Sequence, residues 1–169
     1  MRREADQGLP PLPPGEGQGE GHTEAGILRD LLSAQRSLRS RFDDFRRALE
    51  RRDEEAYRLA LTDFHRCLVR WTQAEEEALL PAILRTSIEG RDPRRELRLE
   101  WVQVRELTRY LLSQVNERAP IADVLGLSEN LERRLSAHES EMEKVYYPAA
   151  APLLNEEEIR ALGAGAPPP

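Results

Sequence analysis

The sequence predicts an all-α protein, an antiparallel up-down-up-down four-helix bundle with a short C-terminal helix. Apolar residues recur at alternating steps of three and four along four long segments, which is the spacing of one buried helix face. The connections between these segments are short and carry charged residues, glycine or proline. The composition is 39% hydrophobic and 33% charged, with few aromatic residues, which favours a helical domain. The 169 residues suit one domain with a buried core.

The two ends of the chain differ from the rest in composition. Residues 1–22 contain PPLPPGEGQGEG and have little apolar surface to offset the entropy of ordering, so we expect a disordered tail there. The bundle is predicted over residues 23–162. Residues 163–169 are predicted to be a second disordered tail.

The first helix is predicted over about residues 24–51, with Thr23 as its N-cap. Its apolar face has one polar member, Gln35. The residues at this spacing are Leu28, Leu31, Gln35, Leu38, Phe42, Phe45 and Leu49.

The second helix is predicted to follow a charged turn at residues 51–53. Its apolar face also has a polar member, Glu75, and we expect Pro81 to kink or loosen its last turn. The residues at this spacing are Tyr57, Leu61, Phe64, Leu68, Trp71, Glu75 and Leu79.

The third helix is predicted from about Pro93, a favourable first-turn residue, to near Asn116. Its apolar face includes Trp101. The residues at this spacing are Leu97, Trp101, Val104, Leu107, Leu111 and Val115.

The fourth helix is predicted to begin at about Pro120 or Ser128 and to end at Tyr147, closed by Pro148 and Pro152. Its apolar face has one polar member, and the residues at this spacing are Leu131, Leu135, His138, Met142 and Val145. A short final helix, capped by Asn155, is predicted to end near Gly163.

The polar residues on these apolar faces are expected to meet. In an antiparallel pair, residues equally far from the connecting turn lie at the same height, since each helical residue advances about 1.5 Å. This places one group in a single layer of the core: Gln35, Trp71, Glu75, Trp101 and His138. A carboxylate in such a layer must be paired, hydrogen-bonded, protonated or bound to a metal.

Two segments carry a resemblance to a known family, WTQAEEEALLP at residues 71–81 and HESEMEKVYYP at residues 138–148. Together with LLSAQRSLR in the first helix and EWVQVREL in the third, they make the chain resemble the hemerythrin-like, or HHE cation-binding, domains over roughly residues 27–162. Members of that family hold two irons between four helices with histidines and two carboxylates. The resemblance implies ligand positions at Gln35, Trp71, Glu75, Trp101, His138 and Glu143.

Three of the implied ligand positions depart from the family pattern. The family usually has histidine where this chain has Gln35, Trp71 and Trp101, and an indole cannot coordinate a metal. We therefore expect a degenerate di-iron site that has lost conventional oxygen binding. The prediction is a non-catalytic binding or sensing module with no cofactor, in which Glu75 pairs with His138 or Gln35, and His138 with Glu75 or Glu143.

The alternative is a residual mononuclear site for iron, manganese or zinc that uses Glu75, His138 and Glu143. Other functions find less support in the residues. A phosphotransfer module needs an exposed histidine, whereas His138 falls on the buried face. No Glu-x-x-His pair of the ferritin-like type, nucleophile triad, phosphate loop or CxxC motif occurs, so we predict that the chain is not an enzyme.

Charge and hydropathy limit the partners and the compartment. A formal net charge of -6 argues against a general nucleic-acid binder. The chain has no apolar run of about 18 residues and no recognisable signal peptide, so we expect no membrane partner and a cytoplasmic protein. Lys144 is the only lysine among many arginines, which is typical of a GC-rich, bacterial genome. An unidentified protein partner is the remaining expectation.

Overall fold

A computed structural model describes residues 23–167, and these residues are helical over most of their length, with no strand among them. The all-α prediction is therefore confirmed, and the predicted N-terminal tail lies outside the described residues. The helices are α1 (Glu24–Glu50), α2 (Glu54–Ala74), α3 (Leu80–Leu84), α4 (Pro93–Asn116), α5 (Ile121–Glu141), α6 (Tyr147–Ala150) and α7 (Glu156–Gly165).

Side-chain caps fix the starts of most of the long helices. Thr23, the predicted N-cap, accepts a hydrogen bond from the backbone N–H of Gly26 at 3.1 Å. Asp53 and Asp92 cap α2 and α4 in the same way. These caps satisfy backbone donors that have no partner inside the helix. As a result the helices begin within a few residues of the predicted positions.

Two π-helical turns interrupt the helices, at Glu75–Leu79 between α2 and α3 and at Met142–Tyr146 between α5 and α6. Each ends two residues before a proline, Pro81 or Pro148. Proline lacks an N–H and its ring clashes with the carbonyl four residues earlier, so a regular α-helix cannot run through it unchanged. A wider turn accommodates the proline and the helix continues. The prediction that the fourth helix ends at Tyr147 was therefore wrong, because α6 continues through Pro148 to Ala150.

The long helices surround one apolar core. Helix α1 packs on α2, α2 on α4 and α4 on α5, while α1 also contacts α5. Toward one end the core is aromatic, with the Phe42 ring 5.8 Å from Phe45 and 5.2 Å from Phe64 between centroids. Among residues 23–167, no helix combines the length and apolarity that a bilayer crossing requires.

Helix α7 continues to Gly165, two residues beyond its predicted end, and packs on α2 and the first π turn. A side chain at Gly165 would overlap the Cβ of Ala74. The Arg70 guanidinium also donates a hydrogen bond to the Ala164 carbonyl at 2.7 Å. The close approach of α7 to α2 therefore depends on glycine, and residues 163–165 are helical rather than part of a tail.

Because α7 approaches α2 closely at Gly165, substitution of the two glycines of α7 by alanine should affect stability differently. Gly165→Ala should lower the free energy of unfolding by about 1–3 kcal/mol, because α7 must move away from Ala74. Gly163→Ala is the matched control, since a Cβ at Gly163 meets no atom within 4 Å. That variant should be neutral or up to about 1 kcal/mol more stable. Urea unfolding of both proteins checks the prediction, and equal effects would contradict the packing of α7.

Candidate functional site

The side chain of Glu75 is fully buried, with 0% of its surface exposed. It lies at the junction of α2 and the first π turn and points into the core. One oxygen, Oε2, accepts a hydrogen bond from the Trp101 indole N–H at 3.0 Å. The other, Oε1, accepts one from the Tyr147 hydroxyl at 2.8 Å. Both carboxylate oxygens therefore have a protein donor.

His138 on α5 lies between two carboxylates. Its Nδ1 is 2.9 Å from Glu100 Oε2, and its Nε2 is 3.8 Å from Glu75 Oε2. Glu100 precedes Trp101 on α4, so one turn of α4 supplies two members of this site. We name these five residues, Glu75, Glu100, Trp101, His138 and Tyr147, the Glu75 cluster.

The cluster changes the proton affinity of two of its members. Burial lowers the pKa of His138, but the hydrogen bonds and charges of Glu100 and Glu75 outweigh this and raise the pKa to about 9. Burial, reinforced by the charge of Glu75, raises the pKa of Tyr147 well above its ordinary value. At neutral pH His138 is therefore a cation between two carboxylates, and Tyr147 keeps the proton that it donates.

Gln35 and Trp71 complete this layer of the core. The Gln35 side-chain amide donates to the Glu139 carbonyl at 3.3 Å, while its Oε1 is buried and has no partner among residues 23–167. A cavity of about 20 Å³ lies between these residues and the cluster, bordered also by Trp101 and His138. This is about the volume that one water molecule needs. The two tryptophans, 3% and 1% exposed, fill most of the remaining space.

The structure brings together five of the six ligand positions that the sequence implied, and the sixth lies outside this layer. Five of them lie in one layer, namely Gln35, Trp71, Glu75, Trp101 and His138. Glu143 is exposed and does not border the cavity. It lies within the second π turn, where the spacing of a regular helix no longer gives the direction of a side chain.

Two members of the cluster, Glu100 and Tyr147, were not predicted as site residues from the sequence. The side chain of Glu100 is 38% exposed, so it lies at the edge of the apolar face of α4 rather than on it. Tyr147 is nine positions after His138, which in a regular helix is half a turn away from it. The extra residue of the π turn rotates Tyr147 back by about 100°. The proline that follows Tyr147 was the available signal for this turn.

Comparison with known proteins identifies the family. The family described as "Hemerythrin HHE cation binding domain" matches residues 26–150, about three quarters of the chain. The chain therefore belongs to the hemerythrin HHE cation-binding family. No curated protein and no solved structure matched it.

The donors in this layer do not fit the pair of irons that the resemblance to this family implies. The layer offers one imidazole, one amide and two carboxylates, of which Glu100 lies at the edge of the apolar face, and the imidazole and both carboxylates are already engaged with protein partners. An indole nitrogen has no lone pair to offer a metal, since it serves only as a donor. In the described part of the chain, no group of three or more histidine, cysteine, aspartate or glutamate side chains is arranged to hold a metal ion.

Because the Tyr147 hydroxyl donates a hydrogen bond to Glu75, its removal should destabilise the fold more than removal of an exposed tyrosine hydroxyl. Tyr147→Phe keeps the ring but removes a donor to a buried carboxylate, which should lower the free energy of unfolding by roughly 1.5–3 kcal/mol. Tyr110→Phe is the control, because Tyr110 is 51% exposed and its change should stay within about 0.5 kcal/mol. Chemical unfolding of both variants measures the difference, and similar small losses would show that Tyr147 does not support Glu75.

The raised pKa of His138 predicts a pH dependence of stability. The folded protein keeps this proton up to about pH 9, whereas the unfolded chain loses it near pH 6.5. The proton on His138 therefore stabilises the folded state fully below pH 6.5, and this stabilisation is lost as the pH rises through 9. The loss in the free energy of unfolding should be on the order of 3 kcal/mol in total. His138→Gln should remove this decline, and His65→Gln should retain it. Unfolding measured with a chelator at pH 6.5, 8 and 9.5 tests this, and parallel curves for wild type and His138→Gln would refute it.

Proposed function

We propose that this chain is a hemerythrin-family protein whose metal-binding layer has become a hydrogen-bonded part of the core, and that it acts as a non-catalytic binding or sensing module. The observation that carries the proposal is the pairing of Glu75. A bridging carboxylate of a metal pair needs its oxygens free for the metals, whereas here both oxygens accept hydrogen bonds from Trp101 and Tyr147.

Electrostatic balance supports the proposal. A buried carboxylate without partners costs several kcal/mol, and in a metal site the cations remove that cost. In this chain the imidazolium of His138, 3.8 Å from Glu75, and two neutral donors take that role. The carboxylate of Glu75 is therefore satisfied without an ion.

Packing gives a second, independent support. A working metal centre needs an open coordination position and room for a small molecule beside it. Trp71 and Trp101 stand at two of the positions where the family usually has histidine, and the space left beside them is about 20 Å³. A substrate cannot enter a volume that holds one water molecule, which supports a module that does no chemistry in its core.

We also infer that α1, α2, α4 and α5 form an antiparallel up-down-up-down bundle. The support comes from the contacts between α4 and α5. His138 pairs with Glu100, and Arg134 donates to Gln103 at 2.6 Å, so residue numbers rise along one helix as they fall along the other. The order of packing, α1 on α2, α2 on α4 and α4 on α5, fits the same arrangement.

Metal content tests the proposed function. We expect protein purified from cells grown with added iron, manganese and zinc to contain well under about 0.2 metal ions per chain by mass spectrometry, because the donors present make a weak site. Exchange with these metals in vitro should likewise leave no bound ion after gel filtration.

The competing possibility is a single ion at Glu75, His138 and Glu143. It would require Glu143, which is exposed, to turn into the core. Stoichiometric metal that is lost in His138→Gln and Glu143→Gln, but kept in the His65→Gln control, would establish that site and overturn the proposal.

A further inference from the structure

A second and larger cavity lies outside the Glu75 cluster, between α1, α2 and α7. Its volume is about 570 Å³, within the range of about 300–1,000 Å³ that is typical of small-molecule sites. Its walls are mostly apolar. The larger apolar side chains that line it are Ile27, Leu31, Trp71, Ile159 and Leu162, with Ala34 and Ala166 beside them.

Contacts near both ends of α7 hold this helix in place beside the cavity. At its C-terminal end Gly165 lies against Ala74 and holds α7 close to α2. At its N-terminal end Glu158 forms a two-armed pair with Arg85, with both oxygen–nitrogen distances 2.8 Å. Between these points Gly163 contributes no side chain and borders the open volume. Residues from Glu156 to Ala166, along the whole of α7, form one wall of the cavity, and contacts near both ends of the helix hold that wall in place.

The charges at the mouth of the cavity are balanced. Asp30 forms an exposed ion pair with Arg29 at 3.8 Å. Glu156 and Arg160 also border the cavity and stand one helical turn apart on α7, the spacing at which opposite charges offset each other. Because no sign of charge dominates the mouth, a charged ligand would gain little from it.

Trp71 forms a wall of both cavities. Its indole therefore separates the outer pocket from the small space beside His138. Aromatic faces favour contact with apolar and aromatic molecules. A ligand in the outer pocket would lie against this ring without entering the Glu75 cluster.

We infer that the pocket between α1, α2 and α7 is a binding site for an uncharged, apolar small molecule, held by the apolar walls and by Trp71. The inference rests on the proposed function, because it gives the binding module a site and a class of ligand. Size, apolar lining and balanced charge all point to this class, and the fastened ends of α7 mean that the pocket exists before a ligand arrives.

Two glycine variants test the site in the full-length protein. The probe is N-phenyl-1-naphthylamine, a neutral apolar dye whose fluorescence rises in apolar surroundings. A Cβ would meet no atom within 4 Å at either Gly163 or Gly126, so a larger side chain fits both helices, but only Gly163 borders the pocket. Gly163→Phe places a ring in the pocket, and Gly126→Phe is the matched control.

We expect saturable binding of one dye per chain to the wild type. Gly163→Phe should weaken it by about tenfold or more, and Gly126→Phe should leave it within about twofold. No binding by the wild type, or equal binding by the two variants, would overturn the inference. Tighter binding of the anionic dye 8-anilinonaphthalene-1-sulfonate than of the neutral dye would refute the uncharged class.

Two other occupants would also contradict the inference. If Leu9→Asp combined with Leu12→Asp raises the affinity for the neutral dye about tenfold or more, the N-terminal segment fills the pocket. If the protein sediments as a dimer that the dye dissociates, a second copy fills it. Metal content measured on the same preparations tests the proposed function separately, so the two failures give different results.

Discussion

The buried carboxylate of Glu75 is the constraint on which the centre of this protein depends. An unpaired charge at this depth would destabilise the fold by several kcal/mol, so the surrounding helices must supply partners for it. Helix α4 supplies the Trp101 N–H, α6 supplies the Tyr147 hydroxyl, and α5 supplies the cationic imidazole of His138. The carboxylate, at the start of the first π turn, thereby ties its own segment to three helices.

The two π turns make this arrangement possible. Each lies just before a proline, and each lets its helix continue where a regular helix would stop. The first turn begins at Glu75, and the second precedes Tyr147, so the extra residue of the second turn changes the direction of the Tyr147 side chain. Pro148 is therefore linked to the site through the backbone geometry of the turn before it.

The helices and most of the central layer could be predicted from residue spacing, because burial on a helix follows a regular period. That period places Glu75, Trp101 and His138 on apolar faces, and the structure brings all three together. The period fails where the helix changes type, which is why Tyr147 was not predicted, whereas Glu143 was proposed from the family resemblance and not from the period. Glu100 was missed for another reason, since a partly exposed carboxylate at the edge of a face gives no signal in a sequence. The close contact of Gly165 with Ala74, which helps to hold α7 against α2, is likewise not revealed by any periodicity.

The indole N–H of Trp101 gives the most direct measurement of the central claim, that protein donors and not metal ions satisfy Glu75. Nitrogen-15 spectra of the purified protein should show this N–H as a slowly exchanging resonance, because it is buried and hydrogen-bonded. Its position should not change when excess ferrous iron or zinc is added. Loss or displacement of the Trp101 and His138 resonances at one equivalent of metal would contradict the account, since the ion would then have taken the place of these partners at Glu75.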